Sequence, residues 1–492
     1  MSRKQKGRRK IRKFSKILSL FAFFVLVVFL FFIYKMNVLP MKYFALISGV
    51  LSLLEIIYLL VCMNKRIKIG ILIFMDILAI LFILVEGFGS WKLYKTYDFL
   101  HNEMQVEETK DIYYIVVNNE SEYDSLDKIS GKVVNYYNDS EDYEVLKNNV
   151  KAKVSVVLDE VEDYSELIAN VLKDKKAIIL IDESSFDAYF ESLADDNPEA
   201  ANEKNKLKIL EQFEIVKKVE ISESTKDITT EPFIIYLSGI DTRTGKMPTK
   251  SLSDVNMFIV INPQTRNILM VNVPRDYYVQ LHGTKGLKDK LTHAGLRGGV
   301  KLSKATMEDL LGYEADYYVR VNFNAVTRLV KAIGGVTIES KDNYTYTLYH
   351  DRSCTIKPGK NKLNASCALA FARERYAYSS GDRHRGENQQ QLIQAIVSKL
   401  SSSKSLIMNY EKILDALTGS FESNLSTDNI TSLVQFQIND MRGWNFVTSN
   451  LNGSTGMEPC YSFPKSKLSV MYQNQKTIDK AKNKIKEVLE EK

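Results

Sequence analysis

Proline and glycine are scarce in this chain, 9 and 23 of 492 residues, and there are only 4 cysteines. With 45% hydrophobic residues, that scarcity excludes a disordered or collagen-like polymer. No repeat or low-complexity tract stands out. A large excess of one charge is also missing: 66 Lys and Arg face 60 Asp and Glu, a net of +6, which argues against a globally basic nucleic-acid binder. The balance hides an asymmetry. Residues 1–94 hold 15 basic and 3 acidic side chains, so the remainder is mildly acidic. The length leaves room for two or more domains.

The apolar residues concentrate near the N-terminus. Residues 17–34 are almost unbroken apolar sequence, 43–63 repeat the pattern around Glu55, and 69–88 do so around Asp76 and Glu86. Each run is long enough for a helix to cross a hydrocarbon core of about 30 Å. Nine Lys and Arg within residues 1–16, and Lys65, Arg66 and Lys68 in the second link, place both segments on the cytoplasmic side. The expected organisation is a basic cytoplasmic tail (1–16), three transmembrane helices (17–90) and an extracellular remainder. A cleavable signal peptide is the rival reading, but residues 35–37 lack a small-residue cleavage pattern. The tail has no helix-turn-helix or zinc pattern that could read bases; beside a span, it suits anionic lipid headgroups. The three acids mark either an ion pathway or internal structural contacts, and three spans are few for a transporter.

Residues 95–225 read as an accessory α/β domain with strands near 112–117, 154–158 and 177–181. This region has no His, no Cys and no Gly-rich loop from 105 to 225, so it carries no evident chemistry of its own. Its acidic clusters suit solvated faces, residues 195–208 suit a surface excursion, and a boundary is expected at 222–230.

From residue 231 the pattern changes. Strands are expected at 233–240, 255–261 and 268–273. If sequence neighbours pair antiparallel, the end of the first, the start of the second and the end of the third share one sheet edge. Asp241, Asp254 and Arg275 would then converge, with the two carboxylates either sharing a hard divalent ion such as Mg²⁺ or standing as solvated turn residues. In residues 382–400, Ile393, Ile396 and Leu400 form an apolar stripe, and stepping back by four puts Gln389 and Arg385 on the same face. Arg373 and Arg375 end an apolar helical run just upstream. Such guanidinium groups suit phosphate oxygens; the alternative is salt-bridging to Glu374, Asp382 or Glu387.

The ordered strings Gly239-Ile240-Asp241-Thr242-Arg243, Ser253-Asp254-Val255, Val273-Pro274-Arg275-Asp276, Lys290-Leu291-Thr292-His293-Ala294, Val321-Asn322-Phe323, Ile333-Gly334-Gly335-Val336, Phe371-Ala372-Arg373-Glu374-Arg375 and the run from Gly381 through Gln390 resemble the motifs of the LytR-CpsA-Psr (LCP) domain. The resemblance covers residues 231–400, and the spans and accessory region are similar to its capsule-locus members. It implies a mixed α/β sheet flanked by helices, completed by a helical segment at 401–492. It also implies a membrane-anchored phosphotransferase that moves a glycopolymer, here capsular polysaccharide, from a polyprenyl-pyrophosphate carrier to peptidoglycan. By motif, Asp241 and Asp254 would hold Mg²⁺, with Mn²⁺ as a substitute. Arg275, Arg373, Arg375, Arg385 and Gln389 would bind the pyrophosphate, and an apolar channel would take the lipid tail.

One departure is visible: the family's Arg two residues before the second Asp is Leu252 here, with Lys250 or Arg243 as possible stand-ins. Asp276 and Asp382 are candidates for proton acceptor or for ion-pairing with Arg275 and Arg383, and His293 for an assisting or hydrogen-bonding role. Cys354 and Cys367 flank a loop short enough to close by a disulfide, or are unrelated thiols. Two further functional classes stay open: a pyrophosphatase using the same groups on water, and a membrane regulator of capsule synthesis or transcription that uses the basic tail on DNA or on capsule-assembly partners.

Overall fold

The computed structural model describes residues 3–36, 39–98, 108–138, 143–161, 164–196, 200–218, 224, 226–240, 247–378, 381–401, 412–413, 415–416 and 421–491. Two compact units emerge, Met1–Glu103 with Ser426–Arg442 and Met104–Leu425 with Gly443–Lys492. The first contains α1 (Arg3–Met36), α2 (Met41–Met63) and α3 (Ile69–Asp98), all long and apolar enough to cross a membrane, together with the helix Thr427–Asn439. Asp76 is buried among them: its carboxylate accepts hydrogen bonds from the Ser15 hydroxyl and the Tyr58 hydroxyl, each at 2.8 Å. An acid in an apolar bundle must find donors or stay unpaid for, and these two tie all three helices together. Arg12 donates to the carbonyls of Asn64, Lys65 and Ile67, closing the second link against the basic tail.

The second unit begins with a five-stranded sheet, β1 (Glu108–Asn118), β2 (Val133–Tyr136), β3 (Val157–Glu160), β4 (Ile178–Asp182) and β5 (Leu207–Lys218), in the order β3-β2-β4-β1-β5. Helices α4 (Tyr143–Lys153), α5 (Tyr164–Lys173) and α6 (Glu183–Asp196) cover it. Two differences from the sequence reading have clear causes. Val154 and Val156 are buried in the core but precede β3, so the strand starts three residues later than expected. The polar excursion ends early because Leu207 opens β5, an edge strand that alternates buried Phe213 and Ile215 with charged residues.

Next come β6 (Phe233–Ile240), β7 (Val255–Asn262), β8 (Asn267–Val273), β9 (Tyr278–Gln280), β10 (Lys288–Lys290), α7 (Leu291–Leu311), β11 (Tyr317–Asn322), α8 (Phe323–Ala332), β12 (Val336–Ser340), β13 (Gly359–Leu363), α9 (Ala365–Arg373) and α10 (Asp382–Leu400). The chain ends with β14 (Phe421–Ser423), β15 (Asn445–Asn450), β16 (Thr455–Cys460), β17 (Phe463–Met471) and α11 (Gln475–Glu490). The main sheet runs β14-β11-β6-β7-β8-β15. Alternation along the strands feeds two layers. Tyr236, Phe258, Val260, Leu269 and Val271 pack on α7 and α11, whereas Met257, Met270 and Ile268 face Ile393 and Val397 of α10. The helical completion expected after residue 400 is therefore corrected: that segment also supplies two sheet strands and the β16–β17 hairpin.

The accessory layer and the main layer share a core. Leu167, Ile168, Val171, Phe186 and Phe190 cluster with Leu296, Phe463, Leu468 and Val470, and Leu252 packs against this group. The position where the resemblance leads one to expect Arg thus belongs to an apolar seam. Cys354 and Cys367 form a disulfide with Cα atoms 5.6 Å apart, tying the loop before β13 to α9.

Candidate functional site

The strand pairing brings the expected edge together. β6 and β7 are antiparallel with Gly239 opposite Val255, β7 and β8 are antiparallel with Asn256 opposite Val273, and β11 runs parallel to β6 with Asn322 beside Ile240. Arg275, just past β8, donates from Nη1 to Oδ1 of Asp254, just before β7, at 3.1 Å. Asp241 falls outside the described residues, as do Thr242 and Arg243.

Asp254 owes its place to a loop held from several sides. Its own N–H donates to Gly239 O, Ser253 N donates to Thr292 O, and Ser251 N donates to Gly295 O. A Cβ on Gly295 would lie 2.4 Å from Ser251 O, so only glycine permits this approach. Beneath the loop lies Arg320, which sequence reading did not single out. It is buried, donates to Ser251 Oγ at 2.6 Å and to Pro248 O, and pairs with buried Glu422 at 3.1 Å. Lys250 is itself buried in this loop, and its carbonyl accepts from the Ser184 hydroxyl of the accessory layer at 2.5 Å.

Asp276 lies between Lys290 Nζ at 3.1 Å and Arg275 Nε at 3.8 Å. Burial pushes its carboxyl up, but the charges of Arg275, Lys290 and Arg385 outweigh this and hold it below the usual carboxylate range. Arg385 thus reaches the strand edge electrostatically. Its neighbour Gly386 allows this, because a Cβ there would lie 2.1 Å from Asn272 Nδ2 at the end of β8. The side chain of Asp382 falls outside the described part of the chain.

Arg373 and Arg375 flank Glu374, whose carboxylate is buried and accepts from the N–H groups of Tyr349 (2.5 Å), Tyr376 (2.8 Å) and Ala377 (3.0 Å). Glu374 therefore folds the turn through backbone hydrogen bonds, and the two arginines alternate with it. Arg373 stacks over Phe323 at 5.5 Å, and Arg375 over Tyr376 at 4.9 Å. His350 reports their proximity: burial lowers its pKa, and Arg373, Arg375 and Arg385 lower it further. Gln389 turns inward, donating to Ala372 O at 3.4 Å. It lines an otherwise apolar cavity of about 70 Å³ whose walls include Leu237, Gly239, Phe323, Ala372 and Ile393. Phe323 and Ala372 thus form cavity wall on one side and support for Arg373 on the other.

His293 follows Thr292, whose backbone bonds Arg275 O and Ser253 N, but its own ring pairs elsewhere. It is buried with Nδ1 2.6 Å from Asp289 Oδ1, and Asp289 Oδ2 accepts from Ser462 N at 2.7 Å. Burial raises the Asp289 carboxyl, and His293 and Ser462 more than reverse that, so it stays ionised. The pair braces the β16–β17 turn against α7. The four-residue spacing of Asp289 and His293 was the available signal.

Taken together, the site offers guanidinium groups and a carboxylate at a strand edge, above an apolar cavity. Such an arrangement can hold a polyanionic headgroup, with apolar surface beside it.

A sequence description of the LytR_cpsA_psr family matches residues 188–486. Among curated relatives, the polyisoprenyl-teichoic acid–peptidoglycan teichoic acid transferase TagU of Enterococcus faecalis is 32% identical over 231 residues, 46% of this chain and 71% of its own. Biofilm regulatory protein A of Streptococcus mutans is 30% identical over 220 residues, 42% of this chain and 54% of its own. TagU of Bacillus subtilis is 32% identical over 211 residues, 43% of this chain and 64% of its own, so the last two relatives are spanned over less than two thirds of their length. Among solved structures, TagV of Bacillus subtilis aligns with 53% of this chain and 98% of its own at 26% identity and a TM-score of 0.44.

Proposed function

This chain belongs to the LytR_cpsA_psr family, and from that premise we propose that it is a phosphotransferase moving a glycopolymer from a polyprenyl-pyrophosphate carrier onto peptidoglycan. Capsular polysaccharide is the favoured cargo. The three apolar helices anchor the enzyme in the cytoplasmic membrane, with the basic tail inside and residues from about 90 outside. One observation carries the reading: Arg373 sits over Phe323, a wall of the apolar cavity, so cationic and apolar surfaces meet as headgroup and tail do in a lipid pyrophosphate.

In the proposed reaction an acceptor hydroxyl attacks the phosphorus bearing the sugar. A new P–O bond forms the phosphodiester, the bond to the bridging oxygen breaks, polyprenyl monophosphate leaves, and the hydroxyl proton passes to a base. Arg275, Arg373, Arg375 and Arg385 offset charge on the phosphoryl oxygens, and Gln389 stands where the cavity meets the arginine-bearing end of α9. Asp276, paired with Lys290 and Arg275, acts as an electrostatic anchor, since its lowered pKa makes it a weak proton acceptor. Asp254 keeps a partly open carboxylate, a hard oxygen donor that fits Mg²⁺ or Mn²⁺, and with Asp241 it would hold the ion. When bound, that ion supplies further positive charge to the phosphate oxygens.

The test uses the full chain in vesicles with a polyprenyl-pyrophosphate glycan and peptidoglycan. Arg375→Ala should cut attachment about 100-fold, the order expected for losing a charge-assisted contact in the transition state. Deleting residues 1–12 should leave attachment intact. Attachment lost only in the tail deletion would replace this reading with a regulatory one, and lipid monophosphate released without attached polymer would replace it with a pyrophosphatase.

A further inference from the structure

The seam between accessory and main layers opens into a cleft of about 500 Å³. Tyr137 and Tyr164 come from the accessory layer, Tyr278 and Lys288 from the β9–β10 hairpin, and Tyr461 and Ser462 from the β16–β17 turn. We propose that this cleft is a saccharide-binding subsite that seats a stretch of glycan beside the phosphotransfer site.

The volume falls within the range of small-ligand pockets, about 300–1,000 Å³. No Asp or Glu is among the described residues lining it, and four tyrosines are. The rings are fixed before any ligand arrives. Arg297 lies between Tyr137 and Tyr461, 5.3 and 4.9 Å from their ring centres, and donates to the Tyr137 hydroxyl at 2.9 Å. The Tyr278 hydroxyl donates to Pro459 O at 2.9 Å. A pyranose suits such a surface, because its C–H faces are apolar and its rim carries hydroxyls.

Ser462 is 4% exposed and its backbone N–H donates to Asp289 Oδ2 at 2.7 Å, which fixes the β16–β17 turn that carries Tyr461.

Position gives the cleft its meaning, and here the inference rests on the function proposed above. Tyr278 pairs with Lys290 across the β9–β10 hairpin, and Lys290 reaches Asp276 at 3.1 Å. A glycan on Tyr278 therefore lies one strand pairing from the charged edge. The accessory layer, with no chemistry of its own, would complete the cleft by supplying Tyr137 and Tyr164.

The test titrates the full chain in lipid nanodiscs, free of sugar-based detergent, with an N-acetylglucosamine tetrasaccharide and with poly(glycerol phosphate), followed by saturation-transfer NMR. Two variants act oppositely: Tyr461→Ala removes a platform, and Leu287→Trp fills the cleft from an exposed rim position. The expected result is saturable binding of the tetrasaccharide that weakens at least tenfold in both variants. Saturable binding of poly(glycerol phosphate) alone, a polymer with no sugar ring, overturns the saccharide assignment. Saturable binding of neither probe, or binding that survives both substitutions, overturns the proposal. Capture of polyprenyl pyrophosphate is measured in parallel. Its absence with the saccharide titration intact counts against the phosphotransfer reading, and the reverse counts against the cleft.

Discussion

Replacing Arg320 by alanine removes at once the donor to Pro248, to Ser251 and to Glu422. Glu422 would stay buried, with the Tyr318 hydroxyl at 3.2 Å as its remaining described side-chain partner. Stranding one member of a buried ion pair costs about 3–5 kcal/mol, whereas replacing both members by apolar residues is often neutral. The Ser251 and Pro248 bonds are worth about 1 kcal/mol each. Arg320→Ala should therefore lose about 5–7 kcal/mol, and Arg320→Met with Glu422→Leu only about 2 kcal/mol. Denaturant unfolding of the detergent-solubilised chain measures both. Arg320 touches no phosphate in this reading but positions the Asp254 loop, so the double variant should recover stability without recovering polymer transfer. A single variant costing under about 1 kcal/mol, or a double variant no more stable than the single, would refute the reasoning.

Other outcomes follow from the same coordinates. NMR should find the His350 pKa below the usual histidine value, and inorganic pyrophosphate should raise it by neutralising Arg373, Arg375 and Arg385. The unfolded chain protonates this ring first, so its contribution to stability should decline as pH falls through about 6.5 towards the lowered value. The Cys354–Cys367 link closes a separation of 13 residues, so reduction should cost about 3 kcal/mol; the unreduced, denatured chain should show two free thiols, and four would exclude the bond. Leu252→Arg should lower stability by about 1–3 kcal/mol without improving polymer transfer, because its side chain meets the shared apolar seam; enhanced transfer would count against that placement.

The parts of this architecture legible in the sequence are those governed by short-range rules. Apolar runs bounded by turn residues located β6, β7 and β8, and antiparallel pairing then placed Asp254 beside Arg275. The backward step of four along α10 found Arg385, although Gln389 on the same face turns to the cavity wall and bonds α9. The features missed depend on long separations. Arg320 and Glu422 lie 102 residues apart. β15 escaped notice because its largely polar sequence lies at the sheet edge beside β8 and has only Ser449 fully buried. The role of Leu252 is invisible locally, since the cluster it packs against is gathered from both layers.

That common interior binds the accessory and main layers of the second unit into one body. Phe186 and Phe190 from one layer and Phe463 and Leu468 from the other fill the same space. Severing the peptide between β5 and β6 would therefore yield two fragments that remain clasped, and removing the accessory half altogether would expose a greasy wound beside the loop bearing Asp254.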